Sequence, residues 1–547
     1  MRFSGVLFGD AEAARVARQA GDADPPFFSD LNLDQLFTAL TVGRDEYRLA
    51  PFFRIKLLDA DAVAYRHEAF RDLEIDTVKA AVEAFADAMR TTRSCLAQAR
   101  TLRHRYQKER WFLDAAMAYH RAVPDLAGAL QTTALDATAP GGTVTSRALT
   151  RFGNYLADYT GSEAFISLGN DTRRVSALLG AVGYCVTIKG SRVTVSRYEG
   201  EADHSAQVAA TFAKFSGRAA KDYHGNFRNW PDMDQVEGQI LDEVVRLFPG
   251  EFTALDEFCQ RHAGYLDETI ANFDREVQFY LAYLDYTAPL KSAGPLTTEA
   301  LPFTYPRVSE TDKAVSAEAA YDLPLAAKLV SQPAAQRVPV VTNDFHLDGP
   351  ERIFVVTGPN HGGKTTFARM LGQIHYLASL GLPVPARKAR LFLPDQVFTH
   401  FEREEDLATH RGKLEDELYR IRDVLRAATG DSLLVMNESF SSTTLNDARF
   451  IGERVLERMT DLGLIGVYVT FVDELAEATL ATVSMVADVV PDNPAERTFT
   501  LTRRPADGLA YAAAIAAKYG LTYRQLKGRQ VKEKLPAATA CTTGGTL

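Results

Sequence analysis

Residues 353–367 read Ile-Phe-Val-Val-Thr-Gly-Pro-Asn-His-Gly-Gly-Lys-Thr-Thr-Phe, and this stretch decides the fold. Its first five residues are apolar or β-branched and predict a buried strand. Gly358, four further residues and then Gly-Lys-Thr at 363–365 have the spacing of a phosphate-binding loop. Beyond the loop, apolar residues three and four apart predict a helix that stops near Gly381. This strand–loop–helix order predicts an α/β P-loop NTPase domain.

The loop contains the parts that phosphate chemistry needs. Glycines let backbone N–H groups surround the phosphates, and a helix N-terminus favours their negative charge. A lysine contacts the terminal phosphates and a hydroxyl contacts Mg²⁺. We therefore expect ATP and Mg²⁺ as ligands. The expected nucleotide-binding residues are Gly358, Pro359, Asn360, His361, Gly362, Gly363, Lys364, Thr365 and Thr366.

A second apolar strand, Ser-Leu-Leu-Val-Met-Asn-Glu-Ser at 432–439, ends in the pair Asn437 and Glu438. Glu438 is placed to polarise the attacking water, and we predict Glu438 and Lys364 as catalytic residues. Asn437 stands where an aspartate is usual; its carbonyl can coordinate a metal but brings no charge. With Thr365, this pair is the predicted metal site, and a weak Mg²⁺-dependent ATPase is expected. The alternative is that Glu438 is merely a solvated residue at a strand end.

The rest of the chain is mainly helical in its periodicity, apart from a change to period two around 183–198 that predicts a β-hairpin. The predicted fold is thus a C-terminal P-loop domain preceded by a mainly α-helical core and lever with a small hairpin. The predicted parts are an N-terminal segment 1–26, a helical core 27–182, a hairpin or clamp-like insertion 183–232, lever-like helices 233–315, the ATPase domain 316–530 and a disordered tail 531–547.

Composition excludes several classes of protein. The chain has 547 residues, 46% hydrophobic and 24% charged, with a net charge of −10, which is typical of a soluble globular protein. The longest apolar stretch, Leu464 to Val472, is too short to span a membrane, and the N-terminus lacks a secretory pattern. We expect a cytoplasmic protein without a membrane partner. The four cysteines form no CxxC pair, so a zinc knuckle is not expected.

Three segments, TGPNHGGKTTF, NESFSSTTLNDA and VYVTFVDELA, resemble the ATPase domain of MutS-type DNA mismatch repair proteins. The similarity extends upstream to Val341–Gly349, through Asp395–Leu418, and downstream to about residue 527. The resemblance implies an ABC-like, MutS-type domain that pairs with a second copy. In such a homodimer each composite site uses the P-loop of one chain and the signature segment, within 395–418, of the other.

Several positions depart from the family pattern. Gly412 replaces the signature serine, with Lys413 beside it as a substitute by charge, and Phe471 replaces a histidine after Thr470. Val340 replaces an aromatic residue that stacks on adenine. The resemblance with these changes implies slow or repurposed hydrolysis. The 26 residues before Phe27 are too few for the family's mismatch-reading and connector domains, so we expect a short MutS-related protein that recognises DNA structure.

A basic cluster interleaved with aromatic residues follows the start of the predicted hairpin. Acidic residues such as Glu199 and Asp222 dilute its charge, so a solvated surface is the alternative to a DNA contact. The candidate DNA contacts are Lys189, Arg192, Arg197, Lys214, Arg218, Lys221 and Arg228, with Tyr223, Phe227 and Trp230 between them.

Two functions remain open. The first is a MutS-like, ATP-binding and ATP-hydrolysing dimer that acts on double-stranded or branched DNA without reading mismatches. The second is a nucleotide-dependent dimeric scaffold with little hydrolysis and a protein partner. Gly412, Asn437 and Phe471 favour the scaffold, whereas Lys364 and Glu438 favour the enzyme. A transporter-type or chromosome-organising ATPase is disfavoured, because the chain has no LSGGQ-like signature and no long heptad arm.

Overall fold

The protein is mixed α/β, with a helical portion that precedes two larger β-sheets. It forms two compact units, one of Met1–Ala11 with Glu68–Val277 and one of Glu12–His67 with Gln278–Leu547. The domain boundaries suggested by the sequence remain predictions. The computed structural model describes residues 3–9, 23–135, 143–189, 192–200, 233–292, 300–333, 338–403, 412–490 and 493–506.

Helices dominate the described residues up to residue 291. Several begin at side-chain caps: the oxygens of Ser146, Ser162 and Asp234 each accept a hydrogen bond from the N–H three residues on. Among the described helices, none combines the length and the apolar character needed to cross a membrane. The helices are α1 (Phe27–Asp30), α2 (Leu33–Thr41), α3 (Ala60–Leu73), α4 (Asp76–Thr101), α5 (Arg105–Leu135), α6 (Arg147–Thr160), α7 (Glu163–Gly180), α8 (Gln235–Leu247), α9 (Pro249–Arg261) and α10 (Glu268–Lys291).

The predicted hairpin is confirmed. Strand β1 (Tyr184–Lys189) pairs antiparallel with β2 (Arg192–Arg197), and Lys189 lies opposite Arg192. Its apolar side chains are unequally covered: Val186 and Val193 are exposed, whereas Val195 packs against the buried cluster of Val244, Phe248 and Phe252. Because Val186 lies directly opposite Val195, and Val193 is two residues from Val195, the three side chains share one face of the hairpin, and only the part of that face at Val195 is covered.

The second half of the chain alternates strands and helices, as a doubly covered sheet requires. Its helices are α11 (Leu323–Val330), α12 (Lys364–Ser379), α13 (Lys413–Ala427) and α14 (Leu445–Leu462). Its strands are β3 (Arg307–Ser309), β4 (Val315–Ala320), β5 (Asn343–Leu347), β6 (Ile353–Thr357), β7 (Lys388–Phe392), β8 (Val397–Phe401), β9 (Leu433–Asn437), β10 (Ile465–Val469), β11 (Thr482–Val490) and β12 (Asn493–Arg503).

The larger sheet has six strands in the order β12-β11-β6-β10-β9-β8. All neighbouring pairs are parallel except β11 with β12. The two strands predicted from sequence, β6 and β9, are confirmed, and every residue of both is buried. They are not neighbours, because β10 lies between them. The ends of β6, β9 and β10 meet at one edge of the sheet, where ligands of open parallel sheets bind.

Helix α12 is more deeply buried than its predicted single apolar face requires. Gln373, a polar residue on it, is fully buried because its amide nitrogen donates to the carbonyl of Leu31 and its amide oxygen accepts from the N–H of Leu323. The ring of Tyr376 packs edge-on against Phe27 and Phe28. The N-terminal helices thus cover the phosphate-loop helix and make it part of the core.

Candidate nucleotide-binding site

The loop between β6 and α12 turns tightly enough that side chains are excluded from two of its glycine positions. Gly358 has φ of +110°, and a Cβ there would lie 3.0 Å from the backbone N and O of Ala487. A Cβ on Gly362 would lie 2.9 Å from the carbonyl oxygen of Pro359. Glycine at both positions therefore lets the backbone of the loop pass close to β11 and to Pro359, the tight path that a phosphate-binding loop requires.

Lys364, the first residue of α12, lies inside this loop. Its ammonium donates hydrogen bonds to the carbonyl oxygen of Gly358, at 2.8 Å, and to Oδ1 of Asn360, at 3.2 Å. Burial lowers the pKa of Lys364, while the negative charges of Glu438 and Asp473 act to raise it. The lysine is thus a buried cation held within the electrostatic reach of two carboxylates, a position suited to a phosphate.

The end of β9 presents the predicted acid and amide at the same sheet edge. Glu438 adopts φ of +50°, and its N–H donates to the carbonyl of Val469 at the end of β10. Asn437 is 8% exposed, and its Oδ1 has no hydrogen-bond partner among the described residues. The hydroxyl oxygen Oγ1 of Thr357, at the end of β6, likewise has no hydrogen-bond partner among the described residues.

The donor set is consistent with Mg²⁺ held largely by phosphates and water. Within the described residues, no cluster of three or more His, Cys, Asp or Glu side chains forms a cage for a metal. Mg²⁺ typically keeps several waters and takes only one or two protein ligands beside substrate phosphates. The buried carbonyl oxygen of Asn437 and the hydroxyl of Thr365, in the first turn of α12, fit that requirement.

Two charged residues at this edge were missed by the sequence analysis. Asp473 opens the short 3₁₀ helix Asp473–Glu477 after β10, and its charge acts on Lys364. Arg497, on β12, donates from Nε to the carbonyl of Asn360 at 3.2 Å. A signal for Asp473 existed, because an acidic residue shortly after an apolar strand is a candidate at the edge where parallel strands end. No signal existed for Arg497, since it depends on the pairing of β12 with β11.

Comparison with known proteins connects this geometry to a family. Residues 354–523 match the family model described as MutS domain V. This part of the chain is related to the MutS proteins. MutS domain V is a P-loop ATPase domain, in agreement with the loop and strand ends described above.

Curated relatives give the same result over part of the chain. The DNA mismatch repair protein MutS of Acetivibrio thermocellus is 32% identical over 249 residues, 45% of this chain and 27% of that protein. The DNA mismatch repair protein MutS 2 of Halobacterium salinarum is 34% identical over 34% of this chain and 21% of its own length. Endonuclease MutS2 of Thermus thermophilus is 32% identical over 34% of this chain and 25% of its own length. The chain thus spans about a quarter of the length of these relatives.

The other residues that the sequence indicated lie either in the loop 358–366 or elsewhere within residues 354–523. Pro359 is buried, and His361 is exposed with φ of +59°. Lys413, which was predicted to substitute for the signature serine by charge, forms an ion pair with Glu402 of its own chain. Phe471 is 45% exposed beyond β10. Much of the signature segment, residues 404–411, lies outside the described residues.

The basic cluster is described only in part. Lys189 and Arg192 are exposed at the end of the hairpin where residues 190 and 191 connect the strands, and they lie opposite each other in the strand register. Arg197, in contrast, makes contacts within the protein. Its guanidinium donates to the carbonyl of Leu247 and lies over the ring of Phe248, 4.8 Å from its centre. The other candidates, Lys214, Arg218, Lys221, Tyr223, Phe227, Arg228 and Trp230, lie outside the described residues.

Proposed function

We propose that this MutS-related protein binds ATP at the loop 358–366 and hydrolyses it in the presence of Mg²⁺. The observation that carries the proposal is the buried ammonium of Lys364, which lies inside the loop and within the electrostatic reach of Glu438 and Asp473. A phosphate at the loop would replace the carbonyl of Gly358 as a charged partner for this ammonium. Steady-state ATP turnover by the purified chain, with and without Mg²⁺, tests the proposal.

In this mechanism Glu438 accepts a proton from the attacking water. Lys364 neutralises charge on the terminal phosphates, and the backbone N–H groups of the loop orient them. Mg²⁺, when bound, supplies positive charge between the phosphates, and Thr365 and Asn437 would hold it. Because Asn437 is neutral, Asp473 is the remaining candidate to supply a second negative charge beside Glu438. We therefore propose that hydrolysis is weak and that Asp473 contributes to it.

Asn437→Asp is expected to tighten Mg²⁺ binding in the presence of ATP, on the order of tenfold. A charged ligand group contributes about 1.5–3 kcal/mol where a neutral one contributes about 1 kcal/mol. Titrating turnover with Mg²⁺ measures the change. Asn170→Asp, an exposed substitution on α7, is the matched control and should leave the Mg²⁺ dependence as in the parent. If the Mg²⁺ concentration at half-maximal turnover is the same in Asn437→Asp as in the parent, Asn437 is not part of the metal site.

We also propose that the protein acts as a homodimer on double-stranded or branched DNA. Exposed apolar side chains beyond the ends of β9 and β10, among them Leu445, Phe450 and Phe471, support a partner at this edge of the sheet. The relatives' names, which include DNA mismatch repair proteins and an endonuclease, support DNA as the partner. The exposed pair Lys189 and Arg192 is suited to phosphate contacts that follow shape and not sequence.

Neutralising Lys189 and Arg192 together, as Lys189→Gln with Arg192→Gln, is expected to weaken DNA binding equally for all sequences. If both side chains contact phosphates, the slope of log affinity against log salt concentration should fall by about two, one for each lost contact. Fluorescence anisotropy with branched and linear duplexes at several salt concentrations measures this. The control is Arg90→Gln with Arg174→Gln, two exposed arginines on α4 and α7. Equal slopes in the parent and the hairpin variant would show that the pair is only a solvated surface.

A nucleotide-dependent scaffold remains the second candidate function. Two observations favour it: Asn437 brings no charge to the metal site, and Lys413 is engaged by Glu402 within its own chain. In this case ATP binds at the same loop, turnover is negligible, and the partner is a protein. ATP binding without Mg²⁺-dependent turnover in the parent protein would favour the scaffold over the enzyme.

A further inference from the structure

The loop that carries Glu438 has a backbone that needs support from outside. Both Glu438, with φ of +50°, and Phe440, with φ of +64°, adopt left-handed conformations that residues with side chains rarely take. Ser439 lies between them and is 2% exposed, and Phe440 is fully buried. Such a conformation persists only where surrounding contacts determine it, so the partners of residues 438–441 decide where Glu438 is held.

The first of these partners is His400, on β8. One imidazole nitrogen, Nδ1, lies 2.7 Å from the hydroxyl oxygen of Ser439, and the other, Nε2, lies 3.1 Å from the backbone carbonyl of Glu417. A carbonyl can only accept, so Nε2 carries the proton and Nδ1 accepts from the hydroxyl of Ser439, which also lies 3.2 Å from the backbone carbonyl oxygen of His400. Burial lowers the pKa of His400 to about 4, which keeps the ring neutral near pH 7. The imidazole thus connects the catalytic loop, which we define as residues 438–441, to α13.

The second partner is Glu417, in the second turn of α13. It is 1% exposed, and its Oε2 accepts a hydrogen bond from the N–H of Phe440 at 3.1 Å. Burial raises the pKa of this carboxyl group. A carboxyl buried in this way is costly unless it is hydrogen-bonded, and here its bond is to the left-handed residue of the loop. Glu417 therefore contacts the loop directly, while its carbonyl holds His400.

A third set of contacts, made by Glu402, lies at the exposed side of the catalytic loop. Glu402, just after β8, accepts a hydrogen bond from the hydroxyl of Ser441 at 3.1 Å and forms an ion pair with Lys413, the first residue of α13. The catalytic loop, the end of β8 and the start of α13 are therefore connected by side chains from all three segments. The segment between Arg403 and Gly412 joins β8 to α13 and lies outside the described residues.

We propose that His400 and Glu417 are positioning residues that hold Glu438 in place through the loop 438–441 and connect it to the start of α13. The proposal rests on the proposed function, because it concerns the group that activates water. Neither residue belongs to the phosphate loop 358–366; each acts through Ser439 or Phe440. Loss of either contact releases the left-handed loop, and Glu438 then spends less time in the productive position, while the phosphate loop 358–366 is unaffected.

The test compares turnover with ATP affinity in matched variants. Glu417→Leu removes the acceptor for the N–H of Phe440 at similar side-chain volume, and Glu417→Gln keeps an amide oxygen there. We expect the kcat of Glu417→Leu to fall about tenfold or more, with the Kd for ATP changed by less than about twofold. Glu417→Gln should recover most of the kcat. His400→Phe, which removes both imidazole contacts, should resemble Glu417→Leu.

His375→Phe is the matched control, because His375 is an equally buried imidazole whose Nδ1 contacts only the carbonyl of Leu371 in its own helix, as far as the described residues show. This variant should lose stability in thermal unfolding yet keep the kcat and Kd of the parent. Parental kcat in both Glu417→Leu and His400→Phe would overturn the proposal. So would a proportional loss of kcat in His375→Phe, since it would reveal a general effect of stability.

Hydrogen exchange of the peptide that contains residues 437–441 tests the inference without turnover. We expect faster exchange of these amides in Glu417→Leu and His400→Phe than in the parent and His375→Phe, both with and without ATP. Equal protection in all four proteins would overturn the positioning role. A parent that fails to bind ATP would instead contradict the proposed function, while the exchange comparison in the nucleotide-free protein still decides the inference.

Discussion

Glu438→Gln is expected to lower ATP turnover by about a hundredfold or more while ATP binds almost as in the parent. The glutamine has the same size but cannot accept the proton of the attacking water, and proton transfer of this kind contributes about 10²- to 10⁴-fold. The N–H of Glu438 donates to the carbonyl of Val469 irrespective of the side chain, so the loop should keep its conformation. Steady-state turnover gives the loss, and calorimetry with ATP gives the affinity.

The matched control is Glu457→Gln, which replaces an exposed glutamate of α14 that pairs with Arg454. It should leave both turnover and ATP affinity as they are in the parent. If Glu438→Gln hydrolyses ATP at the parental rate, the residue is not the general base. In that case Asp473 becomes the next carboxylate to substitute, because it is the other acid whose charge acts on Lys364.

Lys364→Ala is expected to weaken ATP binding by about 10- to 150-fold. Lys364 is 4% exposed and its ammonium lies in the loop, where a charge-assisted contact to a phosphate contributes about 1.5–3 kcal/mol. Each 1.4 kcal/mol corresponds to about tenfold in affinity. Calorimetry with ATP measures the change. The loss should appear in binding as well as in turnover, which distinguishes Lys364 from Glu438.

Lys388→Ala serves as the control for Lys364→Ala. Lys388, on β7, is an exposed lysine that pairs with Glu318 on β4, so its removal should leave ATP affinity unchanged. Thermal unfolding of both variants checks that the loop still folds, because Lys364 also bonds to Gly358 and Asn360. Unchanged ATP affinity in a folded Lys364→Ala protein would contradict the assignment of the loop.

The local part of the site was predictable because its determinants are close together in the sequence. A β-branched apolar run, a glycine-containing loop and a helical period follow one another at 353–379, and each element forms where its pattern indicates. The same holds for the strand that ends at Asn437 and for the hairpin around residues 190 and 191. The MutS relationship followed from these local motifs and is confirmed.

The non-local part was not predictable, because strand order and side-chain packing depend on residues far apart in the chain. Nothing in the sequence of β10 states that it lies between β6 and β9, although Asp473, which follows β10, acts electrostatically on Lys364. The sequence of α12 predicts an amphipathic helix, yet Gln373 is buried because its amide nitrogen donates a hydrogen bond to the carbonyl of Leu31. The His400–Glu417 arrangement likewise exists only once β8, β9 and α13 are packed together.

The most direct test of the account is ATP turnover by the purified full chain, measured with Mg²⁺ in the absence of DNA and with linear, mismatched and branched duplexes. We expect low turnover that requires Mg²⁺, is lost in Glu438→Gln, and responds more to branched DNA than to a single mismatch in a linear duplex. Absence of Mg²⁺-dependent turnover under all four conditions, in a protein that is folded, would contradict it.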